Sequence, residues 1–457
     1  MTLKALFVVA ALAAVLASSG SAARPTVDRC LFKAGGASAA FCDTFDQPHQ
    51  GGRSGDLDPA KWSVARIGAS NIGQGMYNEF FPTSVQYCPT LRTGVVPNRD
   101  SFVCGREFDE PNHWMTALND AGGAPLISAM ILQPFDFAGR TGTLVFDVDA
   151  KTAGGHSWWP EVWITDRPQA VPHATTPREG PPLAPRNGIG IVFAGANCPT
   201  KALSGTTPSD YGVGWGAVSQ VVVVRGYRAQ NIDFRPVEQP CYRVRADHAN
   251  HFELRISPSR VELWASDFTP NLGVSFPNFR RVLSASVRVP FTRGFVHFEQ
   301  AHYNGEKAGV SSMQTYHWHG IGFDGPALPA VRAYQVPNSL EKRFVWPSKT
   351  KFDGLNLGYP IDGRTFRLDG VEPTGRSWLS LTFAGEDDKP RLTVRYRLNG
   401  RPWRTYVDPR GKMGFAQSSV LIPLQPGELR NGTNTLQFAE RGSSRGSLAN
   451  IDLLTAP

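Results

Sequence analysis

The sequence predicts an all-β protein, built as one large strand-rich sandwich followed by a smaller one. Three observations predict it. The 457 residues include 46 glycines and 36 prolines, above the average usage of about 7% and 5%, so turn formers are abundant. Charged residues make up only 19% of the chain and aromatics 11%. That balance excludes disorder, which needs few aromatics and high net charge, and coiled coil, which needs long Ala/Glu/Lys/Leu stretches. Finally, apolar and polar residues alternate in short runs after residue 40, and no helical period is sustained beyond about two turns.

Residues 1–23 read as a secretory signal peptide. Lys4 supplies the positive start, Ala5 to Ala17 is an unbroken apolar run, and Ser21-Ala22-Ala23 offers small residues for cleavage. The run is short for a membrane span, and no later stretch approaches 18 apolar residues. Removing the leader removes Lys4 and no acid, so the formal net charge of +8 becomes +7. A moderately basic balance bears on association and solubility rather than fold.

An exported chain with an even cysteine count is expected to be disulfide-bonded. The six are Cys30, Cys42, Cys88, Cys104, Cys198 and Cys241. Nearest-neighbour pairing (Cys30–Cys42, Cys88–Cys104, Cys198–Cys241) closes three local loops and is the expected connectivity. No pair has the CxxC spacing of a zinc or redox site.

The strands follow in order. Thr143 to Asp149 alternates apolar and polar, as a half-buried strand does. His251 to Ile256 repeats the pattern, Ser257 to Arg260 turns the chain, and Val261 to Trp264 returns, which makes a hairpin. Gly294 to Tyr303 and Thr315 to Phe323 are further strands. Val221 to Val224 is continuously apolar and is expected to be buried on both faces. Between them, 168–186 carries six prolines and 195–218 is rich in Gly, Ser and Thr. Long loops of this kind on a rigid sandwich are where binding residues gather.

Asp324-Gly-Pro-Ala-Leu-Pro329 marks a boundary. The expected organisation is a leader over 1–23, a large domain over 24–325, a connector over 326–345 and a small β-sandwich over 346–457. Six short strands support the last: Thr365–Leu368, Ser377–Phe383, Arg391–Arg397, Ser419–Pro423, Thr433–Phe438 and Asn450–Leu454. Trp403 and Tyr406 lie among them as a binding platform or as core.

Three stretches carry a resemblance. Phe41-Cys-Asp-Thr-Phe-Asp46 with Leu57-Asp-Pro-Ala-Lys-Trp62, then Pro134 to Thr143, then the hairpin His251 to Trp264, resemble in order and spacing the concanavalin A-like lectin and glucanase superfamily, laminarinases and lichenases among them. The resemblance covers roughly residues 40–325. It implies a concanavalin A-like jelly-roll sandwich of two curved antiparallel sheets with a glycan groove on the concave face, ahead of the accessory β-sandwich. In the glycosidases of that group a Trp-Pro strand precedes a strand bearing Glu-x-Asp-x-x-Glu, whose two Glu act as nucleophile and acid/base. Here Ser157 to Ile164 supplies the first strand. The next, Gly188-Ile-Gly-Ile-Val-Phe193, puts Gly188, Gly190 and Phe193 where the carboxylates would be. The resemblance therefore implies fold and ligand class, and not the usual mechanism.

Other residues stand as substitutes. Glu161 shares a strand face with Trp159 and Trp163, and a carboxylate between indoles is suited to act as an acid. His297, Glu299 and Tyr303 alternate onto one face of the most polar strand, and Gln300 and His302 onto the other. Such a set is similar to that of jelly-roll polysaccharide lyases, where Gln or His neutralises a uronate carboxylate and Tyr or His abstracts a proton. The catalytic candidates are thus Glu161, Glu299, Tyr303 and His297. Candidates for substrate binding are Trp159, Trp163, Gln300, His302, His317 and His319, together with Tyr77, Asn78 and Glu79 in a loop flanked by Gly73 and Gly75. His317 and His319 lie two apart on a strand, and pairing that strand with 295–303 would gather several imidazoles. The expected partner is a polysaccharide. No cofactor, metal, nucleic acid or membrane span is expected, and the expected destination is outside the cell. Competing readings are a hydrolase or lyase using these groups, and a non-catalytic adhesion or structural module.

Overall fold

The structure, a computed structural model, describes Cys30 and residues 39–45, 57–67, 76–81, 113–119, 126–150, 158–172, 185–195, 213–231, 235–236, 241–245, 249–269, 276–302, 313–336, 363–384, 393–410, 417–439 and 447–457. Every regular element among them is a β-strand.

The large unit is two nine-stranded antiparallel sheets. The first runs, in spatial order, Arg235–Pro236, Arg280–Ser286, Arg260–Ala265, Asn250–Ser257, Gly142–Ala150, Met313–Asp324, His113–Asn119 and Met76–Phe81, with Ala39–Asp43 also paired to Met313–Asp324. The second runs Arg228–Asn231, Val213–Arg225, Asn187–Gly195, Trp158–Thr165, Arg293–His302, Leu126–Ile131 and Trp62–Ile67, with Tyr242–Arg245 and Phe135–Asp136 paired at its margins. The chain passes between sheets repeatedly, as from Gly142–Ala150 to Trp158–Thr165 and from Arg293–His302 to Met313–Asp324. This is the sandwich of two antiparallel sheets around one core that the sequence predicts.

Alternation of side chains along each strand builds the core. Leu144, Phe146 and Val148 of the first sheet face Val162, Ile164, Val296 and Phe298 of the second in one buried cluster. Phe298 meets Phe146 at 5.5 Å and Trp318 at 5.2 Å between ring centroids, edge-on geometries favoured by aromatic quadrupoles. The opening motif is part of this core. Asp43 accepts the Trp62 indole N–H at 2.8 Å, and Phe41 packs edge-on against Trp62 at 5.8 Å. The expected Val221–Val224 run is buried throughout: Val221 and Val223 join the core, while Val222 and Val224 pack with Trp163 on the other face.

Cys30–Cys42 is bonded as expected, with Cα atoms 5.7 Å apart. Cys241 is also disulfide-bonded. Cys88, Cys104 and Cys198 lie outside the described residues.

The small unit is two four-stranded sheets. One runs Arg332–Gln335, Ser447–Ala456, Arg376–Ala384 and Gln417–Pro423. The other runs Thr365–Val371, Gly432–Phe438, Thr393–Leu398 and Arg404–Val407. Between them lies a separate core that includes Leu379, Leu381, Val394, Tyr396, Leu436 and Leu453. One correction concerns the expected connector over 326–345. Its residues Arg332–Gln335 form a strand paired with Ser447–Ala456, and Val331 N–H donates to Leu132 O. Val331 and Val336 are buried, so this stretch contributes to both packing interfaces rather than spanning solvent.

Candidate functional site

Four of the sequence candidates gather on the outer face of the second sheet, the face turned away from the core. Val162, Ile164, Val296 and Phe298 point inward, so Glu161, Trp163, Thr165, His297 and Glu299 point outward. Register brings them together across one strand pair: Glu161 stands directly opposite Glu299, and Trp163 opposite His297. Cross-strand neighbours have Cβ atoms about 4.5–5.5 Å apart, so the two glutamates are adjacent on this face.

Several contacts hold this cluster. The Trp163 indole N–H donates to Glu161 Oε2 at 2.5 Å. The indole lies over Gly190 of the neighbouring strand, where a Cβ would fall 2.5 Å from the ring. Glycine is therefore required there by close approach. This accounts for one of the positions at which the sequence departs from the carboxylate motif. Gly188 pairs with Thr165 and Gly190 with Trp163 on the outer face, whereas Phe193 turns into the core against Phe146 and Phe252.

His297 is fully buried. Burial pushes its pKa down to about 3, so the ring is neutral at neutral pH. Thr165 Oγ1 donates to Arg167 O at 2.6 Å and lies 2.9 Å from His297 Nε2. A hydroxyl has one proton, so the imidazole donates through Nε2. That leaves Nδ1 as an acceptor, without a hydrogen bond from any described residue.

Glu161, Trp163, His297, Glu299 and Gln300 are each at most 1% exposed. The small unit seats on one end of this face: Leu421 and Leu454 form a cluster with Met130, Leu132 and Phe295. Gln169 Nε2 donates to Ser419 O at 2.6 Å, and Val171 N–H to Ser419 Oγ at 2.8 Å. At the other end, register places Trp159 opposite Ala301 and Trp158 opposite His302. Tyr303 lies outside the described residues.

The remaining candidates are elsewhere. His317 and His319 lie on Met313–Asp324 in the first sheet, paired with Gly142–Ala150 and His113–Asn119. The imidazole cluster expected from pairing that strand with 295–303 is therefore not formed. The physical reason is that Trp318 and Phe298 both face the shared core and meet across it, which puts their strands in opposite layers. Tyr77, Asn78 and Glu79 are also corrected. They lie on the strand Met76–Phe81 at the margin of the first sheet, opposite Ala117, Thr116 and Met115, and not in a loop.

Sequence reasoning missed a second buried polar cluster, on the outer face of the first sheet. His251 Nδ1 lies 2.7 Å from Asp147 Oδ1, and its Nε2 3.8 Å from Glu253. Arg255 closes on Glu253 at 2.6 Å, and Phe276 covers the imidazole at 4.2 Å. Burial opposes protonation of His251, but the charge and hydrogen bond of Asp147, with Glu253, raise its pKa to about 9. The signal was present: Asp147, His251 and Glu253 occupy the polar phase of strands whose apolar phase is the core. Among the described residues, no group of three or more His, Cys, Asp or Glu is placed to hold a metal ion. No helix there is long and apolar enough to cross a membrane.

No protein-family model matches the chain, and no curated relative matches it. Solved structures do. LamAcat from Zobellia galactanivorans is 8% identical, covering 63% of this chain and 98% of its own, with a TM-score of 0.33. A pseudo β-1,3-glucanase of Mycobacterium tuberculosis is 13% identical, covering 63% and 98%, with a TM-score of 0.28. Carbohydrate-binding module CBM66 from Bacillus subtilis is 12% identical, covering 46% and 86%, with a TM-score of 0.23. At these TM-scores the likenesses lend no weight to what this chain binds or does, and the functional reading rests on the site.

Proposed function

We propose that this chain is a secreted carbohydrate-recognising protein that takes an extracellular polysaccharide on the outer face of its second sheet. The Glu161–Glu299 pair is the centre of any cleavage there. The observation that carries the reading is the pair itself. Two glutamates stand at one register step on a fully buried face, which brings two carboxyl groups together on neighbouring strands. Two adjacent carboxyl groups are what a retaining hydrolysis uses: one, ionised, attacks the anomeric carbon while the other, protonated, gives its proton to the leaving oxygen, and that second group then takes a proton from the water that releases the sugar from the first. Neutral His297, anchored through Thr165, offers an acceptor two residues along the same strand face. The Cys30–Cys42 disulfide is compatible with an oxidising, extracellular setting.

Burial favours a second reading. Both glutamates are fully buried and the small unit seats on one end of their face, so a sugar reaches them only when their cover moves. In the second reading the two units form a non-catalytic adhesion or structural module. A panel of neutral and acidic polysaccharides, assayed for binding and for reducing ends, separates the two. The proposal expects wild-type turnover that falls at least a hundredfold in Glu161→Gln and Glu299→Gln while binding persists. Binding with no turnover leaves a lectin; no binding to any glycan removes the proposal. Ultraviolet absorbance from unsaturated uronates would instead mark a lyase.

A further inference from the structure

One sheet of the small unit turns a polar face away from the unit's own core. Its sheet of Thr365–Val371, Gly432–Phe438, Thr393–Leu398 and Arg404–Val407 buries Leu368, Val394, Tyr396, Leu398, Leu436 and Phe438 against the partner sheet. The alternate residues, Arg367, Thr435, Gln437, Arg395, Arg397 and Thr405, are exposed or half-buried on the other side. The seam with the large unit uses Leu421, Leu454 and Ser419 of the other sheet, and Tyr406, on the inward side of Arg404–Val407, lies near Arg167 and Tyr227 of the large unit.

Two arginines on this face are set apart by sharing one indole. Arg404 pairs with Glu428, Arg410 with Asp408, Arg367 with Asp369 and Arg332 with Glu372. Among the described residues, Arg395 and Arg397 pair with no carboxylate. Trp403 holds them instead. The Arg397 guanidinium lies 4.5 Å from the indole centroid and that of Arg395 5.6 Å. Arg397 Nε donates to Gln437 Oε1 at 2.7 Å, which occupies one donor of the fork and leaves its two Nη groups. Stacking on an indole orients a guanidinium and strips water from one side of it without neutralising it. Side chains two apart on a strand are about 6.6 Å apart along it, so the two cations form a double prong. Beside them, Val407 is 46% exposed, the one large apolar side chain so exposed among the described residues. It lies opposite Thr393 on the same face.

We propose that this face is a second carbohydrate site, selective for anionic polysaccharides. Arg395 and Arg397 receive carboxylate or sulfate groups, Gln437 positions Arg397, and Val407 and the indole edge supply apolar contact with the sugar. Charge complementarity carries the choice of ligand: the chain has a formal net charge of +8, and bidentate guanidinium contacts suit planar or tetrahedral oxyanions. The site is independent of the Glu161–Glu299 face and stands whether or not that face turns over a glycan.

The test is affinity electrophoresis of the intact protein through gels containing dextran, dextran sulfate or polygalacturonate. The expected result is retardation by the charged polymers and not by dextran, weakening with added salt. The sulfated and uronate arms show which anion is preferred. Arg395→Gln with Arg397→Gln should reduce affinity for the retained polymer at least tenfold with an unchanged melting temperature. Arg397→Lys, which keeps the charge and loses the fork, should fall between. Arg228→Gln, on the exposed edge of the large unit, should bind as wild type. The proposal is overturned if neither charged polymer retards the wild type, or if the double variant or Arg397→Lys binds undiminished. It is also overturned if Arg228→Gln costs as much as the double variant, since binding would then follow net charge alone.

Discussion

The outer faces of the two sheets of the large unit each bury a histidine, and the two histidines have opposite character. His251 sits between Asp147 and Glu253 and is held protonated, with its pKa raised to about 9. His297 has a threonine hydroxyl as its hydrogen-bond partner and is held neutral, with its pKa lowered to about 3 by burial. Exposure does not distinguish them, since both are at 0%. What distinguishes them is whether the neighbouring strand presents a carboxylate. Asp147 stands directly opposite His251 in the ladder, while Trp163 stands opposite His297. The first face is an ion network closed on itself, with Arg255 completing Glu253. The second juxtaposes two carboxylates and leaves an imidazole acceptor over. The first arrangement is what folding selects for stability. The second brings two buried carboxyl groups to one register step, and the proposed chemistry is placed there.

The comparison is broken most severely by Asp147→Asn. Removing one partner of a buried ion pair leaves an uncompensated charge and costs about 3–5 kcal/mol. Urea denaturation should show a loss of that size, against little change for a substitution at exposed Arg228. An unchanged midpoint would show that Asp147 does not hold the His251 charge. The next effect is in pH. The folded pKa of His251 lies above its unfolded value of about 6.5, so its contribution is fully present below pH about 6.5. It is lost as pH rises through about 9, a decline on the order of 3 kcal/mol. His297 has the reverse sign. Its folded pKa lies below the unfolded one, so its neutral form supports folding above pH about 6.5 and that support fades as pH falls toward 3. Stability profiles of His251→Gln and His297→Gln should each lose one limb, the alkaline and the acid respectively. A profile that keeps its alkaline limb in His251→Gln would refute the assignment.

Much of this was legible in the sequence. Period-two alternation located Gly142–Ala150, the Asn250–Ala265 hairpin and the strand carrying Glu299, because one face of each must be apolar to build the core. Glu161, Trp163, His297 and Glu299 were legible as residues out of place on core strands, and the structure brings all four onto one face. Register was not legible. That Glu161 meets Glu299 depends on non-sequential strand order, which no local pattern encodes. Layer assignment failed for His317 and His319 for the same reason: a strand with Trp318 and Phe323 inward fits either sheet. Composition misled at Arg332–Gln335, where charged and proline-rich surroundings read as a connector while Val331 and Val336 were the residues that mattered. The strand nature of Tyr77–Glu79 was masked by its flanking glycines, which usually signal a loop.

The smallest expected effect sharpens the comparison most. The second face depends on steric bareness rather than charge pairing, since Trp163 lies flat only because Gly190 has no side chain. In Gly190→Ala a methyl carbon would fall within 2.5–2.6 Å of three indole atoms. Either the ring lifts from the sheet or the strand shifts, at a cost of about 1–3 kcal/mol. In both cases the Trp163 hydrogen bond to Glu161 lengthens, so tryptophan fluorescence and glycan turnover should change together. The ion network on the first sheet is across the core and shares no partner with Gly190, so effects at the two sites should add. The alkaline limb assigned to His251 should therefore survive intact in Gly190→Ala. If that limb moves as well, the two faces are coupled through the core, and the contrast between them is a property of the whole sandwich rather than of the neighbouring strand.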